Sequence, residues 1–242
     1  MIDLHDKVKE VLITGASRGI GLQVALSLLH AGCRVYCVSR NPSGRAHNNL
    51  HHIPADLASG VDSGAEICAL LEERGVFPDT LILCAGAITE ALIPKQDPPS
   101  IMNQLNVNFV AHVELVRRLI PHMMRHRFGR IVGVSSTAAR QPAPGQSLYA
   151  ASKAGLEAFL RCCAMEFARK GITCNSVAPG YVATEFSARL EATKDLSKVV
   201  PVGRMANVQE AADAVLFFLG RHSDYVTGTT FTVDGGLSLA VK

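Results

Sequence analysis

Short apolar runs alternate with longer amphipathic ones along almost the whole chain, and this alternation restricts the possible fold more than any single residue does. The runs Val8–Thr14, Arg34–Ser39, Leu50–Ala55, Thr80–Cys84, Arg130–Ser135, Thr173–Ala178 and Thr230–Asp234 have strand length. Between them lie stretches of helical periodicity, at about Ile20–His30, Gly64–Arg74, Ser100–Arg125, Ser147–Arg169 and Val208–Leu219. Alternation of this kind marks βαβ units, because parallel strands need a helical crossover to return to the same edge. The expected fold is α/β, with one doubly wound sheet of about seven parallel strands and helices on both faces.

Punctuation residues support these boundaries. Pro98 and Pro99 precede the third helix, where a missing N–H is tolerated, and Gly32, Gly75 and Gly171 fall just past helix ends. Neither an internal repeat nor a linker interrupts the pattern, so residues 1–242 read as a single domain. The long stretch from Tyr181 to Ala206, between the sixth strand and the last helix, reads as a substrate-side lid, because ligands of such sheets bind beyond the strand C-termini. A surface excursion of two short helices is the alternative.

Composition excludes several function classes. A chain 48% hydrophobic and 19% charged fills one large core, and a net charge of +3 without Lys/Arg runs gives no nucleic-acid footprint. The seven cysteines lack Cys-x-x-Cys or metal-ligand spacing, and the histidines do not pair with carboxylates at such spacing, so no metal is expected. Reduced thiols fit a cytoplasmic protein. The first ten residues carry Asp3, Asp6 and Glu10 without an apolar segment, and no stretch approaches the roughly 20 apolar residues that span a bilayer. No membrane partner is expected.

Two motifs carry chemistry. The first, Thr14-Gly15-Ala16-Ser17-Arg18-Gly19-Ile20-Gly21, follows a strand and opens a helix. Glycines there let backbone approach a pyrophosphate, and the helix N-terminus offers free N–H groups at the positive end of its dipole. The second is Tyr149 with Lys153, four residues on and one helical turn away, preceded by Ser136. A free phenol has a pKa of about 10, and a neighbouring cation favours its ionised form. The Tyr-Lys pair alone could be a solvated helix face; the order along the chain of glycine turn, serine, Tyr-Lys helix and Pro179-Gly180 is what gives it meaning.

That order, together with the Gly-x-x-x-Gly-x-Gly spacing at 15–21, resembles the short-chain dehydrogenase/reductase family from about Lys7 to Leu239. The resemblance implies a Rossmann-type sheet and a catalytic set of Asn108, Ser136, Tyr149 and Lys153 within 108–153. Asn108 is preferred to Asn106, and Ser136 to Ser135, on the family's register. Tyr149 would donate the proton, Ser136 would bind the carbonyl oxygen, and Lys153 would hold the nicotinamide ribose and lower the tyrosine pKa. Asn108 would bend or hydrate its helix.

Cofactor contacts are implied in the same way at Gly15, Ser17, Arg18, Gly19, Ile20 and Gly21, at the adenine-side pair Asp56 and Leu57, and at Cys84, Ala85 and Gly86. They continue at Tyr149 and Lys153, at Pro179 and Gly180, and at Val182 and Thr184, which would hold the carboxamide. Cys84 departs from the family, which has an asparagine there that helps tie the fourth strand to its neighbours. The second strand ends Val38-Ser39-Arg40-Asn41 without an acid, and Arg40 and Arg18 can bind a phosphate, so NADP(H) is expected over NAD.

Passages such as Arg127–Ile131, Gly145–Ala151, Val202-Gly203-Arg204 and Thr227-Gly228-Thr229 resemble the 3-oxoacyl-[acyl-carrier-protein] reductases of fatty-acid synthesis. This branch implies a homotetramer and a 3-oxoacyl thioester substrate in contact with Ser136, Gln146 and Tyr149. It also implies a carrier-protein patch at Arg127 and Lys170 beside the cleft, with Arg125, Arg130 and Arg169 nearby. Solvation of helix ends is the alternative reading of those cations. The same active-site set serves family members acting on acetoacetyl-CoA, small ketones, sugars or steroids. A non-catalytic dinucleotide sensor is the remote alternative.

Overall fold

The computed structural model describes residues 3–185 and 199–240. Seven strands form one sheet: β1 (Glu10–Thr14), β2 (Arg34–Ser39), β3 (Leu50–Pro54), β4 (Thr80–Leu83), β5 (Gly129–Val134), β6 (Ile172–Pro179) and β7 (Thr230–Val233). All neighbours are parallel, in the order β3-β2-β1-β4-β5-β6-β7. Strand ends sit within two residues of the apolar runs. β1 starts later than its run because the N–H groups of Lys9 and Glu10 both donate to the Asp79 carboxylate, at 2.9 and 2.8 Å.

Six described helices pack on the sheet: α1 (Gly19–His30), α2 (Val61–Glu73), α3 (Pro98–Leu105), α4 (Ala111–His126), α5 (Ser147–Phe167) and α6 (Val208–Phe217). Alternate side chains of each strand serve opposite faces. Leu12, Leu81, Leu83 and Ile131 join α2, α4 and α5 in one core, while Val11, Ile13, Ile82, Val132 and Val134 join α1 and α6 in the other. Gly133 sets how closely α5 approaches, since a Cβ there would lie 2.6 Å from Leu160 Cδ1 and 3.3 Å from Leu156 Cδ2.

The expected single helix over 100–125 is different in two respects. It starts at Pro98, with both prolines inside its first turn, where the Asp97 carboxylate accepts from Ser100 N–H at 2.9 Å. It is also interrupted by a π-helical turn at Asn106–Val110, whose closing bond runs from Ala111 N–H to the Asn106 carbonyl. Of the expected lid, residues 186–198 lie outside the described residues. Its two ends pair with each other, Ala183 N–H to the Ala206 carbonyl and Ala206 N–H to the Tyr181 carbonyl, both at 2.9 Å.

The order of strands reverses between β1 and β4, which leaves a crevice at their C-terminal ends. All seven cysteines are free. Among the described residues no helix is long and apolar enough to cross a membrane.

Candidate active site

The crevice is built from the C-terminal ends of the strands. After β1, Gly15 has φ +71° and turns so closely over β4 that a Cβ would stand 2.7 Å from Ala85 Cα. Arg18 then leads into α1, whose first turn carries no acid and whose start has no side-chain cap, and free N–H groups at a helix start favour an anion. Thr184 closes on the same turn from beyond β6, its methyl 3.6 Å from where a Gly19 Cβ would stand. Arg18 is exposed and pairs with Glu185 at 2.9 Å, and Arg40 is exposed immediately after β2. After β3, Asp56 accepts from Ala58 N–H at 3.1 Å and caps a short turn that buries Leu57. A glycine cradle too tight for side chains, at a helix start free of acids, fits a dinucleotide pyrophosphate.

The four reacting candidates converge beside this cradle. Ser136, just past β5, accepts from Ala138 N–H at 3.1 Å and faces the Tyr149 hydroxyl. Ser135 points the other way: it is buried and donates to Glu157 Oε1 at 2.7 Å. Asn108, within the π-turn, accepts from Ala87 N–H at 2.7 Å and donates to the Ala87 carbonyl and Ser152 Oγ, both at 2.9 Å. Asn106 instead donates to the Ala58 carbonyl at 2.7 Å, in the turn after β3. Gly86 lines the gap: a Cβ there would be 3.5 Å from Lys153 Nζ and 3.8 Å from Asn108 Oδ1.

Electrostatics in this pocket are dominated by burial. Lys153 donates from Nζ to the Val134 carbonyl at 2.8 Å, and desolvation pulls its pKa down to about 8 against a weaker opposing effect from Cys84. Tyr149 is pushed above the ordinary phenol value, first by burial, with Ser136 pulling it back. The direction is therefore opposite to the expected lowering by Lys153: burial outweighs the hydrogen bond from Ser136, and the ammonium, 5.9 Å from the ring centroid, is held by a backbone carbonyl. Cys84 stands within the field of both residues, and burial pushes its thiol to about 11. Gln146 accepts from Ala143 N–H and donates to Glu90 at 2.8 Å, fastening the loop after β4 to the loop before α5.

The basic patch is not beside this crevice. Arg127 precedes β5 and Lys170 precedes β6, so both sit at the N-terminal edge of a parallel sheet whose C-terminal edge carries Ser136 and Tyr149. Arg130 is buried, stacks on Phe128 and pairs with Asp224, so it adds nothing to a surface field. Two site-adjacent residues escaped the sequence reading: His112, fully buried four residues after Asn108, and Glu157, buried four residues after Lys153. The four-residue helical spacing was the available signal for each.

A parallel sheet in this strand order, with a glycine cradle and a Ser-Tyr-Lys cluster at one edge, defines a dinucleotide-binding oxidoreductase. The sequence model of a family described as Enoyl-(Acyl carrier protein) reductase matches residues 15–238, and the chain belongs to that short-chain dehydrogenase/reductase family. Carbonyl reductase family member 4 of Xenopus laevis is 34% identical over 236 residues, 96% of this chain and 98% of the relative. The 3-oxoacyl-[acyl-carrier-protein] reductase FabG of Salmonella typhimurium is 34% identical over 237 residues, 95% and 97% of the two chains. Among solved structures, a gluconate 5-dehydrogenase from Burkholderia cenocepacia in complex with NADP and tartrate superposes with a TM-score of 0.90. It is 30% identical and covers 99% of this chain and 98% of that one.

Proposed function

We propose that the protein reduces a 3-oxoacyl thioester, carried on acyl carrier protein, to the 3-hydroxyacyl thioester with NADPH as reductant. The carrying observation is the cluster of Ser136, Tyr149 and Lys153 against Gly86 at the switch-point crevice, joined by Arg40 where an NAD-selective sheet has an acid. The likeness to FabG supports the thioester substrate.

The nicotinamide, bound along this edge, would supply the hydride to the carbonyl carbon. As negative charge develops on the carbonyl oxygen, Tyr149 gives up its phenolic proton to it as general acid. Ser136 donates its hydroxyl hydrogen to the same oxygen, a contact worth about 2–4 kcal/mol in comparable oxyanion sites. Lys153, whose Nζ donates to the Val134 carbonyl, would hold the nicotinamide ribose, and Asn108 fixes Ala87 and Ser152 nearby. Pro179, Gly180, Val182 and Thr184 would hold the carboxamide end.

Arg127 and Lys170 precede β5 and β6, at the sheet edge opposite Ser136 and Tyr149, so a carrier protein bound there would not lie directly over the crevice of the same protomer. The likeness to the gluconate 5-dehydrogenase favours a second reading, oxidation of a sugar acid. The deciding experiment is NADPH oxidation with the 3-oxoacyl group on acyl carrier protein, on CoA and as a simple ketone, with NADH and with gluconate plus NADP as comparisons. Carrier-dependent, NADPH-selective turnover is the expected result. Turnover of gluconate or simple ketones alone would overturn the thioester reading, and tight NADPH binding without any turnover would favour a sensor.

A further inference from the structure

His112 lies inside α4, fully buried, at the meeting point of three segments far apart in sequence. Its Nε2 is 3.0 Å from Thr14 Oγ1 and its Nδ1 is 3.2 Å from the Asn108 carbonyl. Thr14 Oγ1 already accepts from Cys84 N–H at 3.0 Å and from Ala85 N–H at 3.1 Å. Both lone pairs of that hydroxyl are thereby used, so its hydrogen must be given to His112 Nε2. The imidazole then carries its own proton on Nδ1 and donates it to the Asn108 carbonyl. All of these groups are satisfied in this one tautomer.

We propose that His112 is a positioning residue of the active site: a neutral imidazole, protonated on Nδ1, that ties the Asn108 carbonyl to the ends of β1 and β4 through Thr14. Asn108 holds Ala87 and Ser152, and Ser152, itself in α5, donates to the Tyr149 carbonyl at 2.8 Å, so the tie from His112 reaches the tyrosine helix in two bonds and the Tyr149 carbonyl in three. Cys84 explains the need for it. Where the family resemblance gives an asparagine that secures the fourth strand, a thiol is a weak hydrogen-bonding partner, and the Thr14–His112 bond secures that junction from the opposite side. Burial and the nearby Lys153 ammonium both disfavour an imidazolium, holding the His112 pKa down to about 3. A second cation there would face Lys153 without a counter-ion.

The inference rests on the active-site reading above, and its test separates the two. In ¹⁵N-histidine NMR of the whole protein, with the His112 signals assigned by their loss in His112→Gln, Nδ1 should be protonated and Nε2 bare, unchanged between about pH 5 and 8. An Nε2–H tautomer, or titration within that range, overturns the proposal without any assay of turnover. In kinetics with acetoacetyl-CoA and NADPH, His112→Leu should lose about tenfold or more in kcat with the dissociation constant for NADPH within about threefold of the parent. His112→Gln, which keeps one donor and one acceptor, should recover most of that loss. Equal loss in both variants, in proportion to a fall in folded fraction by circular dichroism, or parental kcat in His112→Leu, overturns it. Retained turnover in Tyr149→Phe would instead overturn the assignment of the acid and leave the NMR result standing.

Discussion

Lys153 Nζ donates to the Val134 carbonyl at 2.8 Å, which anchors the tyrosine helix α5 to the last residue of β5. The strand that delivers Ser136 and the helix that delivers Tyr149 are thus joined by a buried cation. Its charge is carried against a desolvation cost that no carboxylate offsets among the described residues.

Stability should therefore respond to Lys153→Met. The native lysine titrates near 8 and the unfolded one near 10.5, so the unfolded chain binds more protons between those values and stability rises with pH across that window. Below about pH 8 the cost of the buried charge is fully present. Lys153→Met should raise stability by about 2 kcal/mol at pH 7, allowing for loss of the bond to Val134, with the gain fading toward pH 10. Urea melts across that range check it; a pH-independent difference would contradict the assignment.

Tyr149→Phe removes the proposed proton donor and leaves the glycine cradle untouched. Turnover should fall by about 10²–10⁴-fold while NADPH affinity, read by fluorescence titration, stays close to that of the parent.

Cofactor choice should follow charge after β2. Arg40→Asp should weaken NADPH binding by about tenfold or more and weaken NADH much less, since an acid there repels a 2′-phosphate and accepts from ribose hydroxyls. An unchanged ratio of kcat/KM for the two cofactors would show that Arg40 is only solvated.

Close approach of α5 to β5 predicts a cost for Gly133→Ala. The new methyl group would meet Leu160 at 2.6 Å, and relief requires α5 to move. A loss of about 1–3 kcal/mol in stability is expected, accompanied by lower kcat because Tyr149 moves with the helix.

Arg127 ends α4 with φ +49°, the one non-glycine residue in the left-handed region among those described. Arg127→Gly should stabilise the fold by about 0.5–1 kcal/mol, visible as a higher Tm, because glycine takes that conformation without a Cβ penalty. Turnover of a CoA ester should be unaffected, since this turn lies at the sheet edge opposite the crevice.

The sequence by itself determined the sheet and the edge where chemistry occurs. Short apolar runs, helical spacing between them and glycines at the turns are local properties, so β1 to β7 could be read within two residues of their observed ends, and the glycine turn and Tyr-x-x-x-Lys pair could be placed among them. The break between α3 and α4 was not legible, because a π-turn is a change of backbone hydrogen-bond partner that no residue type in 106–110 marks. Only the tertiary structure decided which way neighbouring polar groups point: Ser135 to Glu157 but Ser136 to Tyr149, Asn106 to Ala58 but Asn108 to Ala87. It also decided that Arg130 is buried against Asp224, that Arg127 and Lys170 lie at the sheet edge opposite Ser136, and that burial raises the Tyr149 pKa. The reason is common to all of these. Burial and hydrogen-bond direction depend on partners brought together from distant parts of the chain, and the same side chain is a surface charge or a buried one according to what folds over it.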